Sequence, residues 1–276
     1  MKKNLQIGFI GAGNMASAMI QGIVKDNHTI KIKVSDPNNS SLKKLNAQFG
    51  VEVSKKNADS VIGSDVIILA VKPNVIPEVI KEIASSLNDQ QIVLSIAAGI
   101  RINDINFWSG KDLKVIRAMP NTPALVSEGI TGLYACKSVT DEDQKLIMSI
   151  LEPISKCVWV NDEVLMNSIT AVSGSGPAYF YLFMESIANS AETLGIDQKT
   201  AKILAIETAK GAIALASQSD DSLQVLREKV TSKGGTTAAA IESFIDNNFD
   251  EIISNAIRAA YDRSFEISAE LSGKES

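Results

Sequence analysis

Leu5-Gln6-Ile7-Gly8-Phe9-Ile10-Gly11-Ala12-Gly13-Asn14-Met15-Ala16 decides how the first half of this chain folds. An apolar strand runs into Gly-x-Gly-x-x-Ala, and a helix-forming stretch follows at once. Each small residue has a use. Gly11 permits a tight turn, Gly13 lets backbone approach a pyrophosphate, and Ala16 lets the helix lie close to its strand. The exposed amides of the helix start then face the anion. A second strand ending in Ser35-Asp36 comes next, so the elements follow the order a dinucleotide site needs.

Outward from that stretch, strand and helix alternate. Strands are expected at 5–10, 30–35, 51–53, 66–71, 92–95 and 115–118, with helices between them, such as 13–25 and 77–87. Val66-Ile67-Ile68-Leu69-Ala70-Val71 is an unbroken apolar run, the mark of a parallel sheet covered on both faces. Two further strand-like pieces, 132–136 and 158–160, flank a helix at 142–151 and extend the sheet at its edge. The pattern changes near Asn161. Beyond it helices are expected at 163–172, 177–194, 198–216, 223–230, 237–245 and 251–271, with no convincing strand. The expected division is therefore residues 1–161, an α/β dinucleotide-binding domain, and residues 162–276, an all-α domain. The stretch 202–216 is Ala-rich and apolar on much of its circumference. Burial against another subunit and a well-packed core helix both fit it.

Composition excludes several classes. The 276 residues carry a net charge of −5 and no long basic run, against nucleic-acid binding or adsorption to anionic membranes. No apolar stretch approaches the roughly 18 residues of a membrane span. Lys2 and Lys3 precede an apolar segment as in a signal peptide, but cleavage inside it would destroy the glycine fingerprint, and a cytoplasmic location is expected. Cys136 and Cys157 read as free thiols in a reducing compartment. The one histidine, His28, sits on an expected turn, so neither a zinc set nor a Ser-His-Asp set is available. Any chemistry proceeds without an imidazole base.

Loops at the carboxyl ends of parallel strands form the ligand crevice. Three of them here carry Lys72-Pro73-Asn74, Ile96-Ala97-Ala98-Gly99 and Met119-Pro120-Asn121-Thr122-Pro123. Ala97, Ala98 and Gly99 leave room for a flat nicotinamide; ordinary turn chemistry is the other reading of all three. The helical half adds Ser173-Gly174-Ser175-Gly176-Pro177-Ala178-Tyr179, with Pro177 suited to a first helical position. It also adds Thr231-Ser232-Lys233-Gly234-Gly235-Thr236-Thr237, a Gly-rich loop opening a helix. Such a terminus offers unpaired amides to a carboxylate. An ordinary Thr N-cap fits the same local sequence.

Together with Gly8 to Ala16, Ala70-Val71-Lys72-Pro73, Ala97-Ala98-Gly99 and Asn121-Thr122-Pro123, these segments resemble the pyrroline-5-carboxylate reductases over nearly the whole chain. The stretch Val230 to Thr237, with Leu226 before it and Ile241-Glu242 after it, resembles that family's signature. The resemblance implies a Rossmann domain followed by a helical dimerisation domain, a homodimer or a ring of dimers, and hydride transfer from NAD(P)H to the C=N bond of 1-pyrroline-5-carboxylate. It gives Thr237 the hydroxyl that hydrogen-bonds the ring nitrogen, and Ser232, Gly234, Gly235 and Thr236 the substrate carboxylate. The candidate cofactor contacts are Gly11, Gly13, Asn14, Met15, Ser35, Asp36, Asn57, Ala70, Val71, Lys72, Pro73, Ala97, Ala98, Gly99 and Asn121; no metal is expected. The coenzyme expected is NADPH, with NADH also accepted. The family pattern places Ser35 and Asn57 near a 2′-phosphate, with Lys55 and Lys56 adding charge. Asp36 could instead favour NADH, or point away as a turn residue before Pro37. A β-hydroxyacid dehydrogenase is the nearest competing class, but its Gly-Ser-Gly-x-x-x-Lys lysine is replaced here by Phe180. A dinucleotide-binding sensor without turnover would have no use for the Gly234–Thr237 loop.

Overall fold

The computed structural model describes residues 5–26 and 30–272; Lys2, Lys3 and His28 lie outside the described residues. Eight strands, β1 (Gln6–Ile10), β2 (Lys31–Ser35), β3 (Glu52–Ser54), β4 (Val66–Leu69), β5 (Ile92–Ser95), β6 (Lys114–Met119), β7 (Gly129–Ala135) and β8 (Ser155–Trp159), form one sheet. Its order is β3-β2-β1-β4-β5-β6-β7-β8. The order reverses between β1 and β4, which opens a crevice outside their carboxyl ends. The expected edge extension is present with one change of direction. β7 runs antiparallel to β6 and parallel to β8. A parallel partner needs a crossover of a dozen or more residues, and only a short 3₁₀ turn, Thr122–Val126, joins β6 to β7.

The alternating side chains of the central strands sort onto two faces. Ile7, Phe9, Val66, Ile68, Ile92, Leu94 and Ile116 join one apolar cluster. Ile10, Ile67, Leu69, Val93 and Val115 join the other. Helices α1 (Asn14–Asp26), α2 (Asn39–Phe49), α3 (Asn57–Val61), α4 (Ile76–Ile83), α5 (Ile102–Ser109) and α6 (Asp141–Leu151) complete this layer structure. α1 packs on α2 and α6, and α4 packs on α3 and α5. Gly8 lies where β1 passes α3. A Cβ there would sit 1.9 Å from the Ser60 carbonyl oxygen. Gly8→Ala therefore forces α3 away from the sheet. It should cost about 2–3 kcal/mol by overpacking, read as a lower urea midpoint at unchanged slope.

The second half is helical as expected: α7 (Leu165–Ile169), α8 (Gly176–Thr193), α9 (Gln198–Gln218), α10 (Leu223–Lys229), α11 (Thr236–Asp246) and α12 (Phe249–Ser272). The helix expected over 163–172 loosens into a π turn at Thr170–Gly174, closed by Ser175 N donating to Thr170 O at 2.8 Å. Thr170 and Ser173 donate their hydroxyls to the carbonyls of Met166 and Ile169, which competes with the regular helix ladder.

By packing, the chain forms two units. One holds residues up to Ser175 together with those from Ala260 on; the other is Gly176–Ala259. The change of packing therefore falls later than the change of secondary structure near Asn161. In the first unit, Ser264 donates to Asn167 at 2.9 Å, and Ser272 to Asp104 at 2.9 Å. The second unit has little interior of its own. Its buried apolar residues, among those described, are Ala201 and Ala205. Phe183, Phe244 and Phe249 form its aromatic cluster, with ring centroids 5.2–6.3 Å apart. Ile203, Leu204, Ile213 and Leu215 on α9 stand exposed. A core helix within a single chain does not describe α9; so broad an apolar surface marks an association face.

Candidate active site

At the switch point, the glycine loop leaves β1 beside the loop that leaves β4. Gly11 has φ +106, and a Cβ there would lie 2.4 Å from the Ala70 carbonyl oxygen, so turn and packing both demand glycine. Gly11 N donates to Ser35 O at 2.7 Å. Gly13 differs. It has no left-handed φ, and among the described residues a Cβ on it would meet no atom within 4 Å beyond its chain neighbours. The protein's own packing leaves that space clear, as a pyrophosphate requires. Gly13 and Asn14 are exposed and Met15 half-buried at the start of α1, while Ala16 is buried under it. These residues fit a dinucleotide.

The other candidate cofactor residues divide. Ala70, Val71 and Pro73 are half-buried and Lys72 is exposed, in the loop that opens the 3₁₀ turn Pro73–Val75. Ala98 is half-buried after β5, but Gly99 answers to the protein itself: φ +78 and Ile267 at 2.8 Å from a built Cβ. Ser35 is fully buried, and its hydroxyl donates to Phe9 O at 3.3 Å. Asn57 donates its amide to Glu82 at 2.7 Å. Asn121 is buried as a clamp, donating to Ser173 O at 3.1 Å and accepting from Ile130 N at 3.0 Å.

Asp36 turns its carboxylate toward the glycine loop. Its Oδ2 accepts from Ala12 N at 2.8 Å and its Oδ1 from Asn38 N at 2.7 Å. The second bond is an Asx turn, legible in Asp36-Pro37-Asn38. The bond to Ala12 joins residues far apart in sequence, and no local signal announces it.

In the second unit, Gly234 has φ +71, and Gly235 stands as the N-cap of α11 with no side-chain cap. The Thr N-cap alternative does not hold. A Cβ on Gly235 would lie 2.4 Å from Ser232 Oγ, so a larger residue there would turn the Ser232 side chain out of its place in the loop. The first amides of α11 carry the positive end of its dipole toward the loop. Thr236 is exposed and Thr237 half-buried, in the first turn. The Thr237 hydroxyl has no hydrogen-bond partner among the described residues. Displaced ionisation lies elsewhere: burial pushes the Cys157 thiol up, and hydrogen bonds from Thr200 hold Asp197 down at the cap of α9. Among the described residues no cluster of His, Cys, Asp and Glu could hold a metal, and no helix is long and apolar enough to cross a membrane. What the α11 terminus presents is a run of amides without a side-chain cap and a neutral hydroxyl beside them.

A doubly wound dinucleotide domain with this loop and an association-prone helical unit defines a nicotinamide-dependent oxidoreductase. Residues 6–99 match the family described as NADP oxidoreductase, coenzyme F420-dependent, and residues 163–267 match pyrroline-5-carboxylate reductase dimerisation. The chain is 39% identical to a pyrroline-5-carboxylate reductase of Pseudomonas aeruginosa, covering 96% of this chain and 98% of that protein. It is similar to the structure of a pyrroline-5-carboxylate reductase from Coxiella burnetii, with TM-score 0.91, 36% identity, and coverage of 97% and 99%. A Plasmodium falciparum pyrroline carboxylate reductase solved with NADP bound gives TM-score 0.85 and 31% identity, covering 96% and 99%. The chain belongs to the pyrroline-5-carboxylate reductase family. The matched dimerisation region agrees with the exposed apolar surface of α9.

Proposed function

We propose that this chain reduces 1-pyrroline-5-carboxylate to L-proline by hydride transfer from NAD(P)H, the last step of proline biosynthesis. NADPH serves as reductant and NADH is also accepted. The observation that carries the reading is the α11 terminus, whose amides lack a side-chain cap and whose Thr237 hydroxyl has no partner among the described residues, which suits a small cyclic acid in a chain of this family.

The chemistry needs little beyond positioning. A cyclic imine protonates readily, and its iminium accepts a hydride at the C=N carbon while the electron pair of the double bond returns to nitrogen. Bound at the switch point, the dinucleotide supplies that hydride. Gly11, Gly13, Asn14 and Met15 would cradle the pyrophosphate, with Ala70–Pro73, Ala97–Gly99 and Asn121 shaping the rest of the crevice by backbone and bulk. Ser232, Gly234, Gly235 and Thr236 would hold the substrate carboxylate, and Thr237 Oγ1 would hydrogen-bond the ring nitrogen and fix its orientation. No imidazole is required, which agrees with the residue inventory.

The functional division proposed is residues 1–161 for the dinucleotide and 162–276 for substrate and association. The assembly proposed is a homodimer or a ring of dimers in the cytoplasm, without nucleic acid; the exposed apolar residues of α9 and the net charge of −5 support it. The test is a spectrophotometric assay following loss of NADPH and, separately, of NADH with pyrroline-5-carboxylate. Oxidation of either coenzyme dependent on the imine supports the reading. Turnover of a β-hydroxyacid with the oxidised coenzyme, and none of the imine, would overturn it.

A further inference from the structure

We infer that the first unit carries a further ligand site, a cavity floored by Arg117 and Asn167 that takes a small apolar monocarboxylate. The site does not depend on the proposed reaction, and its residues belong neither to the dinucleotide set nor to the α11 loop. Arg117 shares its face of β6 with Val115, a member of the second apolar cluster. A guanidinium only 6% exposed in that setting needs partners. Glu163 is one: Arg117 Nη1 donates to its Oε1 at 2.9 Å, and Ile102 N donates to the same oxygen at 2.8 Å. That bond uses one N–H of the five a guanidinium carries. The others have no acceptor among the described residues. Asn167, 7% exposed, accepts from Ser264 through its Oδ1, and its side-chain NH₂ likewise donates to no described residue. Both side chains line one cavity of about 160 Å³, formed wholly by the first unit. Among the described residues, the enclosed side-chain atoms that lack partners are Gln6 Nε2 and Ser60 Oγ. The open donors of Arg117 and Asn167 are therefore not sealed in protein; they face the cavity.

The chemistry of the lining selects the ligand. A guanidinium edge with an amide in the same floor matches the two oxygens of a carboxylate. Two guanidinium groups, Arg101 and Arg117, line the cavity against one carboxylate, Glu163. Arg101 is also paired with Asp104, which tempers its charge. This balance admits a monoanion, whereas a phosphate dianion would meet Glu163 at close range. The rim is apolar. Val164 and Phe265 are 51% and 55% exposed, and Ala269 belongs to the same lining. Apolar walls over a few converging donors are the usual make-up of a small-molecule pocket. Water alone would meet the donors and leave the rim uncovered. An occupant would share Arg117 with Glu163, and Glu163 in turn holds the first amide of α5.

The test is isothermal titration of the full chain with isobutyrate at constant ionic strength, beside its uncharged counterpart isobutyramide. Isobutyrate is expected to bind with a Kd on the order of 1 mM, and isobutyramide at least about tenfold more weakly. Asn167→Asp locates the site. It keeps the oxygen that Ser264 needs and replaces the open donor by a negative charge, so the fold should hold while isobutyrate weakens by at least about tenfold. If that variant does not fold, Ala269→Leu decides instead: Ala269 is exposed, and leucine there narrows the cavity from its rim, with a similar loss expected. Binding that survives in the deciding variant places isobutyrate elsewhere, the α11 terminus included, and overturns the inference. Equal affinity for isobutyramide overturns the role of the donors. No binding up to about 50 mM, well above the expected Kd, leaves the cavity to water and overturns the inference as well. None of these outcomes touches the proposed reduction of the imine, which its own assay decides.

Discussion

Thr237→Ala is expected to lower kcat by about 10²-fold, the usual effect of removing one well-placed hydrogen-bonding group at a reacting centre, while the Kd for NADPH changes less than about twofold. Thr237 lies in the first turn of α11, half-buried, and its hydroxyl has no partner among the described residues. Deleting that hydroxyl leaves no broken bond in the fold. Helix propensity favours Ala over Thr by a few tenths of a kcal/mol, so thermal stability should hold or rise slightly. Loss of activity with a retained fold is then a statement about chemistry. Thr237→Ser restores the hydroxyl at the cost of one methyl group and should recover most of kcat. If Thr237→Ala turns over like the unsubstituted protein, the ring nitrogen is oriented by something else, and the substrate is held at the α11 terminus by its carboxylate alone.

The distinction between chemistry and packing also explains what the sequence could carry. The fold was legible where patterns are local and strong. Val66-Ile67-Ile68-Leu69 reads as a buried strand, and Gly11-x-Gly13 with Ala16 reads as a tight turn into a close-packed helix, and both are present. The antiparallel insertion of β7 was not legible, because a five-residue 3₁₀ turn and a crossover look alike until the register is known. The two-unit division was hidden for a related reason. Secondary structure changes near Asn161, but α7, the π turn and the last part of α12 pack with the sheet. The hydrogen bonds of Ser264 and Ser272 that take part in this join residues 97 and 168 positions apart, and no periodicity reports such a contact.

At the site the same rule holds residue by residue. A glycine in the sequence does not say why it is glycine. Gly99 leaves room for a nicotinamide by its sequence, and in the fold its missing Cβ also makes way for Ile267, 2.8 Å from where that atom would sit. Gly174 likewise makes way for Met119, at 2.6 Å. Ser35 and Asn121 had the right chemistry to touch a ligand, but their side chains serve neighbouring backbone. Only the surroundings of an absent side chain separate glycines the fold consumes from those it leaves for something else.

Gly13 belongs to the second kind, and Gly13→Val gives the largest binding effect expected here. Dinucleotide affinity should fall by at least about 10²-fold, since a branched side chain would fill the space that a pyrophosphate must enter. The fold should tolerate it. Among the described residues, no atom beyond its chain neighbours lies within 4 Å of a Cβ at Gly13, φ there is not left-handed, and the residue is exposed. Gly11→Val is the matched control with the opposite cause. It sets a side chain 2.4 Å from the Ala70 carbonyl at φ +106, so stability and binding should both collapse. Coenzyme titration and thermal unfolding on the two variants separate the cases. A Gly13→Val protein that melts early is telling of a structural glycine, and one that melts normally and still binds NADPH places the pyrophosphate elsewhere. The expected pair is a normal melt and no binding for Gly13→Val, against an early melt for Gly11→Val. That contrast tests the clearance in front of α1 without reference to the helical unit, so it stands or falls separately from Thr237.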